Sequence, residues 1–407
     1  MSEIALLFLI YDNLTHYDRF QPLVESCNTY IHVKDPAKTT QDIQKYFIPN
    51  TVETKWGDYS IVAATIELLK ASYRNTDNKW FVLLSQDTYP IINSVTDLEQ
   101  FISTDSNASS IFQLIGKSAI NKDKSIWKTS QWWILSREDV DIILRNYEEF
   151  NKLFKNEYKT FLDTKININA APDEIYFLTL LKYYDSEYIF KNTPIIYTKW
   201  LKHVVQKHPT VFNNLLSTDA NEIQKSRPPF IRKTLYSFQN KVSNFKRNVY
   251  VFYIGSKTVQ DEKYTDLIND ETASIILITS IPLDQVNDQL LANSIQIFSI
   301  VWNFYYECVL NLLDILPVRE CESIYFVGDE FDMSKLTTNF DTRQRKVKLP
   351  KPNMEFTNKG NFINDDQFYV IADTQGGKTF IKSKKTIFYV RRTRRKISTV
   401  TTSSHKK

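Results

Sequence analysis

The chain opens on an unbroken apolar run, Ile4-Ala5-Leu6-Leu7-Phe8-Leu9-Ile10. A run of that length with no polar interruption predicts a strand buried on both faces, over residues 4–11. Helical spacing follows over 15–26, a strand over 29–33 and helical spacing again over 38–47. After Trp56-Gly57, the positions Ile61, Ala64, Leu68 and Leu69 mark one face of a helix. Residues 80–84 repeat the buried-strand pattern and run into polar Ser85-Gln86-Asp87-Thr88. A helix near 96–102, strands around 110–115 and 131–135, helices over 138–154 and from Pro172, and a strand at 195–197 complete the first part. Such alternation predicts an α/β fold, a mostly parallel sheet flanked by helices, with ligands at the carboxyl ends of its strands. Polar residues 238–248 read as a linker. Beyond it, 249–254, 274–279 and 323–327 are strand-like and 284–316 is strongly helical, a second and smaller α/β unit reaching to about residue 390. The expected domains are therefore 1–240 and 249–390, with 391–407 a basic, disordered tail.

One helix start stands out. In Ala170-Ala171-Pro172-Asp173-Glu174-Ile175, proline occupies the turn that tolerates a missing N–H, and two carboxylates follow it. Ile175, Leu178 and Leu181 then bury the body of the helix. The positive end of the helix favours an ionised carboxylate there, and a rigidly held carboxylate can accept a proton from a hydroxyl. Pro-Asp-Glu is also an ordinary way to begin a helix, so its neighbours decide what it means.

Composition narrows the chemistry. Among 407 residues there are seven glycines, and only Gly57 and Gly116 precede residue 250, so no glycine-rich dinucleotide or triphosphate loop can be assembled. The net charge of +4 is uneven: residues 381–407 hold ten Lys and Arg and no acid, which leaves −6 on the remainder. That is a mildly acidic body, and no nucleic-acid partner is expected. Three scattered cysteines (Cys27, Cys308, Cys321) lack metal-site spacing and fit free thiols in a reducing compartment. The first apolar run is too short for a signal peptide, and the apolar stretch 295–313 carries Asn303, Glu307 and Asn311 on one helical face. A soluble, cytoplasmic or otherwise intracellular protein without a membrane anchor is expected.

Several stretches, taken in order, resemble the core-2/I-branching β-1,6-N-acetylglucosaminyltransferases and their xylosyltransferase relatives. They are the opening strand to Tyr11, Tyr30-Ile31-His32-Val33, Trp56-Gly57-Asp58-Tyr59, Phe81-Val82-Leu83-Leu84-Ser85-Gln86-Asp87-Thr88-Tyr89-Pro90, Ser130-Gln131-Trp132-Trp133-Ile134-Leu135-Ser136-Arg137, Pro172-Asp173-Glu174, Lys207-His208-Pro209 and Phe230-Ile231-Arg232-Lys233. The resemblance spans about the first 240 residues. It implies a GT-A-like fold and inverting transfer of a sugar, GlcNAc or xylose, from a UDP-sugar to a hydroxyl of a glycan or protein acceptor. It also implies no metal and no cofactor beyond the UDP-sugar co-substrate. By the same resemblance Glu174 is the base, and Lys207 and Lys233, with Arg232 and Arg227 in reserve, neutralise the departing diphosphate. The nucleotide falls to Tyr11, Val33, Asp35 and Tyr59, and acceptor or sugar contacts to Asp87, Gln131, Trp133 and Asp173.

The chain also departs from the family pattern. Lys34 follows His-Val, with the acid one place later at Asp35, and Thr234 ends the Phe-Ile-Arg-Lys element. Gln86-Asp87-Thr88 is not the Asp-x-Asp of a metal-binding transferase, and His32 reads as a structural histidine. Trp132 and Trp133 would alternate across a strand, one in the core and the other toward a sugar. The alternative to an enzyme is a non-catalytic carbohydrate- or nucleotide-binding module on a degenerate version of the fold.

Overall fold

The computed structural model describes residues 2–104, 110–119, 125–155, 171–200, 206, 208–236, 238, 240, 248–254, 268–269, 271, 273–280, 282–286, 288–299, 323–327, 368–373, 378–382, 387–393 and 396–397. The chain divides into two compact units, one of residues 1–197 with 223–234, the other of 198–222 with 235–407.

In the first unit β1 (Ile4–Ile10), α1 (Tyr17–Ser26), β2 (Asn28–Val33), α2 (Ser60–Tyr73), β3 (Trp80–Ser85), β4 (Tyr89–Pro90) and α3 (Val95–Ser103) follow one another. After them come β5 (Ile111–Phe112), the hairpin β6 (Leu114–Ala119) and β7 (Ser125–Thr129), β8 (Ile134–Ser136), α4 (Arg137–Leu153), α5 (Pro172–Tyr184), β9 (Lys191–Asn192) and β10 (Ile196–Tyr197). The main sheet has the order β2-β1-β3-β8-β5-β9. β1 is parallel to both β2 and β3, whereas β8 runs antiparallel to β3 and β5. Ile4 through Phe8 are wholly buried, as a strand with helices on both faces requires.

Caps fix where the helices begin. Ser94 and Asp97 form a reciprocal capping box on α3, and Ser136 accepts the Asp139 N–H at the start of α4. Residues 38–47 differ from expectation. They hold only the short 3-10 turns Pro36–Lys38 and Gln44–Tyr46; between them the Thr40 and Gln41 N–H groups donate to Asn13 Oδ1, and the Gln41 side chain bonds both peptide groups of Leu14. The expected strand over 131–135 begins only at Ile134, so Trp132 and Trp133 do not alternate across a sheet and both are buried.

The second unit contains β11 (Val211–Phe212), while a helix α6 (Ser217–Ser226) and β12 (Phe230–Ile231) precede β13 (Asn248–Ile254) and β14 (Ala273–Thr279). α7 (Asp288–Asn293), β15 (Ser294–Ser299) and β16 (Ser323–Val327) follow, then β17 (Phe368–Asp373), β18 (Lys378–Lys382), β19 (Ile387–Thr393) and β20 (Lys396–Ile397). β15-β14-β13-β16 are parallel, extended by β11 at one edge and by antiparallel β17 to β20 at the other. Residues 198–222 thus belong with this unit, since β11 pairs with β15. Two expectations are corrected here. The long helix over 284–316 is a 3-10 turn, the short α7 and then strand β15, whose Ser294 to Ser299 are all buried. Ser294, Gln296 and Ser299 are buried along with the apolar residues between them, so this strand has no solvent face. The start of the presumed disordered tail is paired strand, Arg392 opposite Ile397 and Thr393 opposite Lys396. The rest of both segments lies outside the described residues.

In the first unit Arg137 locks α4 to the end of α2. Its guanidinium donates to the carbonyls of Tyr73, Asn75 and Asn78 at 2.9 to 3.0 Å and lies 4.1 Å from the Tyr73 ring centroid. A cation at a helix carboxyl end satisfies carbonyls that have no partner within the helix. Arg137→Ala is expected to lower stability by about 2–3 kcal/mol, read from urea unfolding.

Candidate active site

Two residues of pairing carry a distant segment to the carboxyl end of β3. In a three-stranded ribbon, β12 lies between β10 and β4, antiparallel to β4 with Phe230 opposite Pro90 and Ile231 opposite Tyr89. Continuing that register sets Arg232 opposite Thr88 and Lys233 opposite Asp87. The Arg232–Lys233 peptide bond is cis.

The Asp87 carboxylate gathers what the ribbon delivers. It accepts from Arg232 Nε at 2.8 Å and from Ser85 Oγ at 2.6 Å, with Lys233 Nζ at 3.7 Å. Burial works against its charge, yet Arg232 and then Lys233 outweigh it and hold the carboxyl below the usual range. Lys233 is lowered, chiefly by burial and further by Arg232, while Asp87 opposes the loss of its proton. Thr234, the family departure, is 2% exposed and donates its hydroxyl to the Asp87 carbonyl at 3.0 Å. Its one proton is thereby used, so the His16 Nε2 at 2.8 Å is the donor to Thr234 Oγ1. Burial lowers His16 to about 4, against the opposing pull of Asp87, and keeps the ring neutral.

Arg232 has one face and one edge occupied. Its guanidinium lies 5.0 Å from the Trp132 ring centroid, and Nε is shared between Asp87 and Ser85. Among the described residues its two terminal nitrogens have no hydrogen-bond partner, and the side chain is 21% exposed. That is a forked donor pair held by stacking and free to grip an anion.

The same segment that supplies Trp132 reaches the start of α5. Lys128 Nζ lies 3.2 Å from Glu174 Oε2, and Thr129 Oγ1 donates to the Glu174 carbonyl at 3.2 Å. So Lys128 to Trp132, spanning at most about 14 Å, links Glu174 to Arg232. Gln131 lies in between, half-buried, with no hydrogen bond among the described residues. α5 itself is buried from Ile175 to Leu181, which anchors the first turn, where the Glu174 carboxylate remains 31% exposed. Asp173 points the other way: it is 5% exposed and its Oδ1 has no partner. Burial, then Glu174 beside it, raises the Asp173 carboxyl to about 7, while its own N–H and Arg232 act in opposition.

Tyr11, Val33 and Asp35 meet at the carboxyl ends of β1 and β2. Asp35 N–H donates to the Tyr11 carbonyl at 2.7 Å, Val33 is buried, and the exposed Tyr11 ring is flanked by Lys34 and Lys38. Gln86 ties them to the Asp87 cluster by accepting the Tyr11 N–H at 2.5 Å. Tyr59 is elsewhere. Its hydroxyl bonds Asn151 and its ring packs against Phe154 and Tyr176, a contact between helices rather than a nucleotide-facing position. Trp133, 1% exposed, packs on Phe177, so it offers no face to a sugar. His32 is 1% exposed and accepts the Val52 N–H at 2.8 Å. Arg227 is exposed at the end of α6 with φ of +45°. Lys207 lies outside the described residues. Sequence reasoning missed Lys128, Gln86, Ser85 and the stacking role of Trp132; the last three lie within motifs that it had singled out, and Lys128 stands two residues before one.

Among the described residues no three His, Cys, Asp or Glu side chains cluster as metal ligands would, and no helix is long and apolar enough to cross a membrane. The Core-2/I-Branching enzyme (Branch) family model matches residues 28–227. No curated protein matches the chain. Three solved structures show limited similarity. A glycosyltransferase involved in glycosylation of the major capsid of PBCV-1 is 14% identical, aligned over 56% of this chain and 92% of its own, with a TM-score of 0.29. The apo-form glycosyltransferase GlyE of Streptococcus pneumoniae TIGR4 is 8% identical over 88% and 95%, with a TM-score of 0.27. A197 from STIV is 10% identical over 35% and 68%, with a TM-score of 0.20. TM-scores this low do not establish a common fold.

The raised Asp173 carboxyl fixes a sign. Between about pH 4 and about 7 the folded chain holds a proton that the unfolded chain has released, so this group's contribution to stability falls as pH rises through that window. Asp173→Asn is expected to exceed the unsubstituted protein in stability above pH 7 by up to about 4 kcal/mol, the two converging below about pH 4, in urea unfolding at each pH.

Proposed function

Residues 28–227 belong to the Core-2/I-Branching enzyme family, and on that footing we propose that the protein is an inverting, metal-independent glycosyltransferase. It transfers GlcNAc or xylose from a UDP-sugar to a hydroxyl of a glycan or protein. The observation that supports this best is the short bridge from Lys128 to Trp132. It holds a half-exposed carboxylate at one end and an unsatisfied guanidinium fork at the other, inside one unit.

The chemistry divides between those ends. Glu174 takes the proton of the acceptor hydroxyl; its carboxylate lies 3.2 Å from Lys128 Nζ in the first turn of α5. The acceptor oxygen forms its bond to the anomeric carbon as the bond from that carbon to the phosphate oxygen breaks on the opposite face. The electron pair leaves with UDP. Arg232 and Lys233 meet the charge that gathers on the diphosphate, the work a divalent ion does in other transferases. Lys207 would join them by its place in the motif. Tyr11, Val33 and Asp35, beside Gln86, are suited to the nucleoside, and Gln131 to the sugar or acceptor that lies between base and fork.

A transfer assay with UDP-GlcNAc and UDP-xylose in EDTA is the test. Glu174→Gln should lower turnover by about 10²–10⁴-fold while leaving UDP affinity unchanged. Full activity in that variant, or strict dependence on a metal, would overturn the mechanism. UDP binding without transfer from any donor would leave the binding-module alternative.

A further inference from the structure

We propose that Asp87 is a positioning residue for donor binding, an internal counter-anion that sets Arg232 and Lys233 side by side, and that it does not contact the acceptor. The inference rests on the reading of Arg232 and Lys233 as diphosphate-binding groups.

Three observations carry it. First, both carboxylate oxygens of Asp87 are turned inward on cations: Oδ1 on Arg232 Nε at 2.8 Å, Oδ2 toward Lys233 Nζ at 3.7 Å, with the side chain only 12% exposed. Little of it is left for a sugar hydroxyl. Second, the contacts select an orientation. Asp87 and Ser85 take the Nε edge of Arg232 and Trp132 takes its face, so the terminal nitrogens point where nothing among the described residues satisfies them. Third, Arg232 and Lys233 are sequence neighbours of like charge, each mostly withdrawn from water. Without an anion between them they would repel, and Lys233, the deprotonatable one, would give way. Asp87 is itself held from behind by Thr234, whose N–H and hydroxyl both donate to its carbonyl, with neutral His16 behind Thr234. Asp173 and, beyond it, Glu174 are the acidic groups on the α5 side of Arg232. Asp87 is thus the carboxylate in direct contact with both cations, and its removal changes the charge state of Lys233 as well as the aim of both.

A buried ion pair with a purely structural role would predict lost stability alone. The proposal predicts lost anion affinity with a changed pH profile. The probes are UDP and inorganic pyrophosphate, titrated calorimetrically into the full chain from about pH 6 to about pH 10. Asp87→Asn should weaken binding of both by roughly 10- to 100-fold. It should also move the alkaline loss of binding to lower pH, because Lys233 without its counter-anion sheds its proton earlier. In turnover the donor KM should rise while the acceptor KM stays put. In a Lys233→Gln background the same substitution should cost less, since part of its effect runs through that lysine. Ser85→Ala, which keeps both charges and removes only the hydroxyl that bonds Asp87 and Arg232, should weaken binding in the same direction by a smaller factor, and it decides the matter if Asp87→Asn does not fold. Unchanged affinity and an unchanged alkaline limb in Asp87→Asn, or unchanged affinity in Ser85→Ala, overturns the proposal while the transferase reading stands. Failure of the unsubstituted protein to bind either probe overturns both.

Discussion

The site depends on a single register. β4 and β12 share only two residue pairs, yet those pairs decide that Lys233 comes to Asp87 rather than to a neighbour. A slip of one position in such a pairing reverses which face every side chain occupies. The register is pinned on both sides: Phe230 is fully buried in the main core, and Thr234 is bonded by its N–H and hydroxyl to the Asp87 carbonyl. Apolar burial fixes the near end of the segment and two hydrogen bonds fix the far end. The two cations between them have little freedom left.

The first turn of α5 shows one helix end producing two different carboxyl groups. Asp173 and Glu174 share the same helix dipole, but burial raises the first to about 7, and the second sits half-exposed against Lys128. Environment, not residue type, is what pushes Asp173 upward while its neighbour on the same turn stays at the surface. The helix can sustain this because its body, from Ile175 to Leu181, is enclosed on all sides by α2, α4 and β7. Its polar start is carried by that burial and adds nothing to it.

Much of the first unit was legible, and the reasons are physical. β1, β3, α2 and α4 are long enough for a period or a run to declare itself, and Pro172 marks a helix start by its own chemistry. Residues 38–47 misled because apolar spacing there has no cap and is bounded by Pro36 and Pro49, which leaves room only for isolated turns. Residues 294–299 misled because their short polar and apolar alternation, Ser294-Ile295-Gln296-Ile297, runs into the longer apolar stretch that follows it in the sequence. At the site, residue types were readable but pairings were not. Nothing local in Asp87 announces Arg232, which lies 145 positions away, or tells Lys128 from the other lysines. Tyr59 and Trp133 were hard to place for the complementary reason. A large aromatic ring in a motif suits a ligand or a core equally well, and only the packing around Asn151 and Phe177 chooses.

The stacking of Arg232 on Trp132 gives the fold an optical consequence. An indole with a cation resting on its face has excited-state energies that depend on that cation's position and charge. Trp132 is one of seven tryptophans, but it is the one whose near neighbour carries the unsatisfied fork. Whatever settles on that fork alters the field across the ring, so the protein contains a chromophore wired to the occupancy of its own anion cradle.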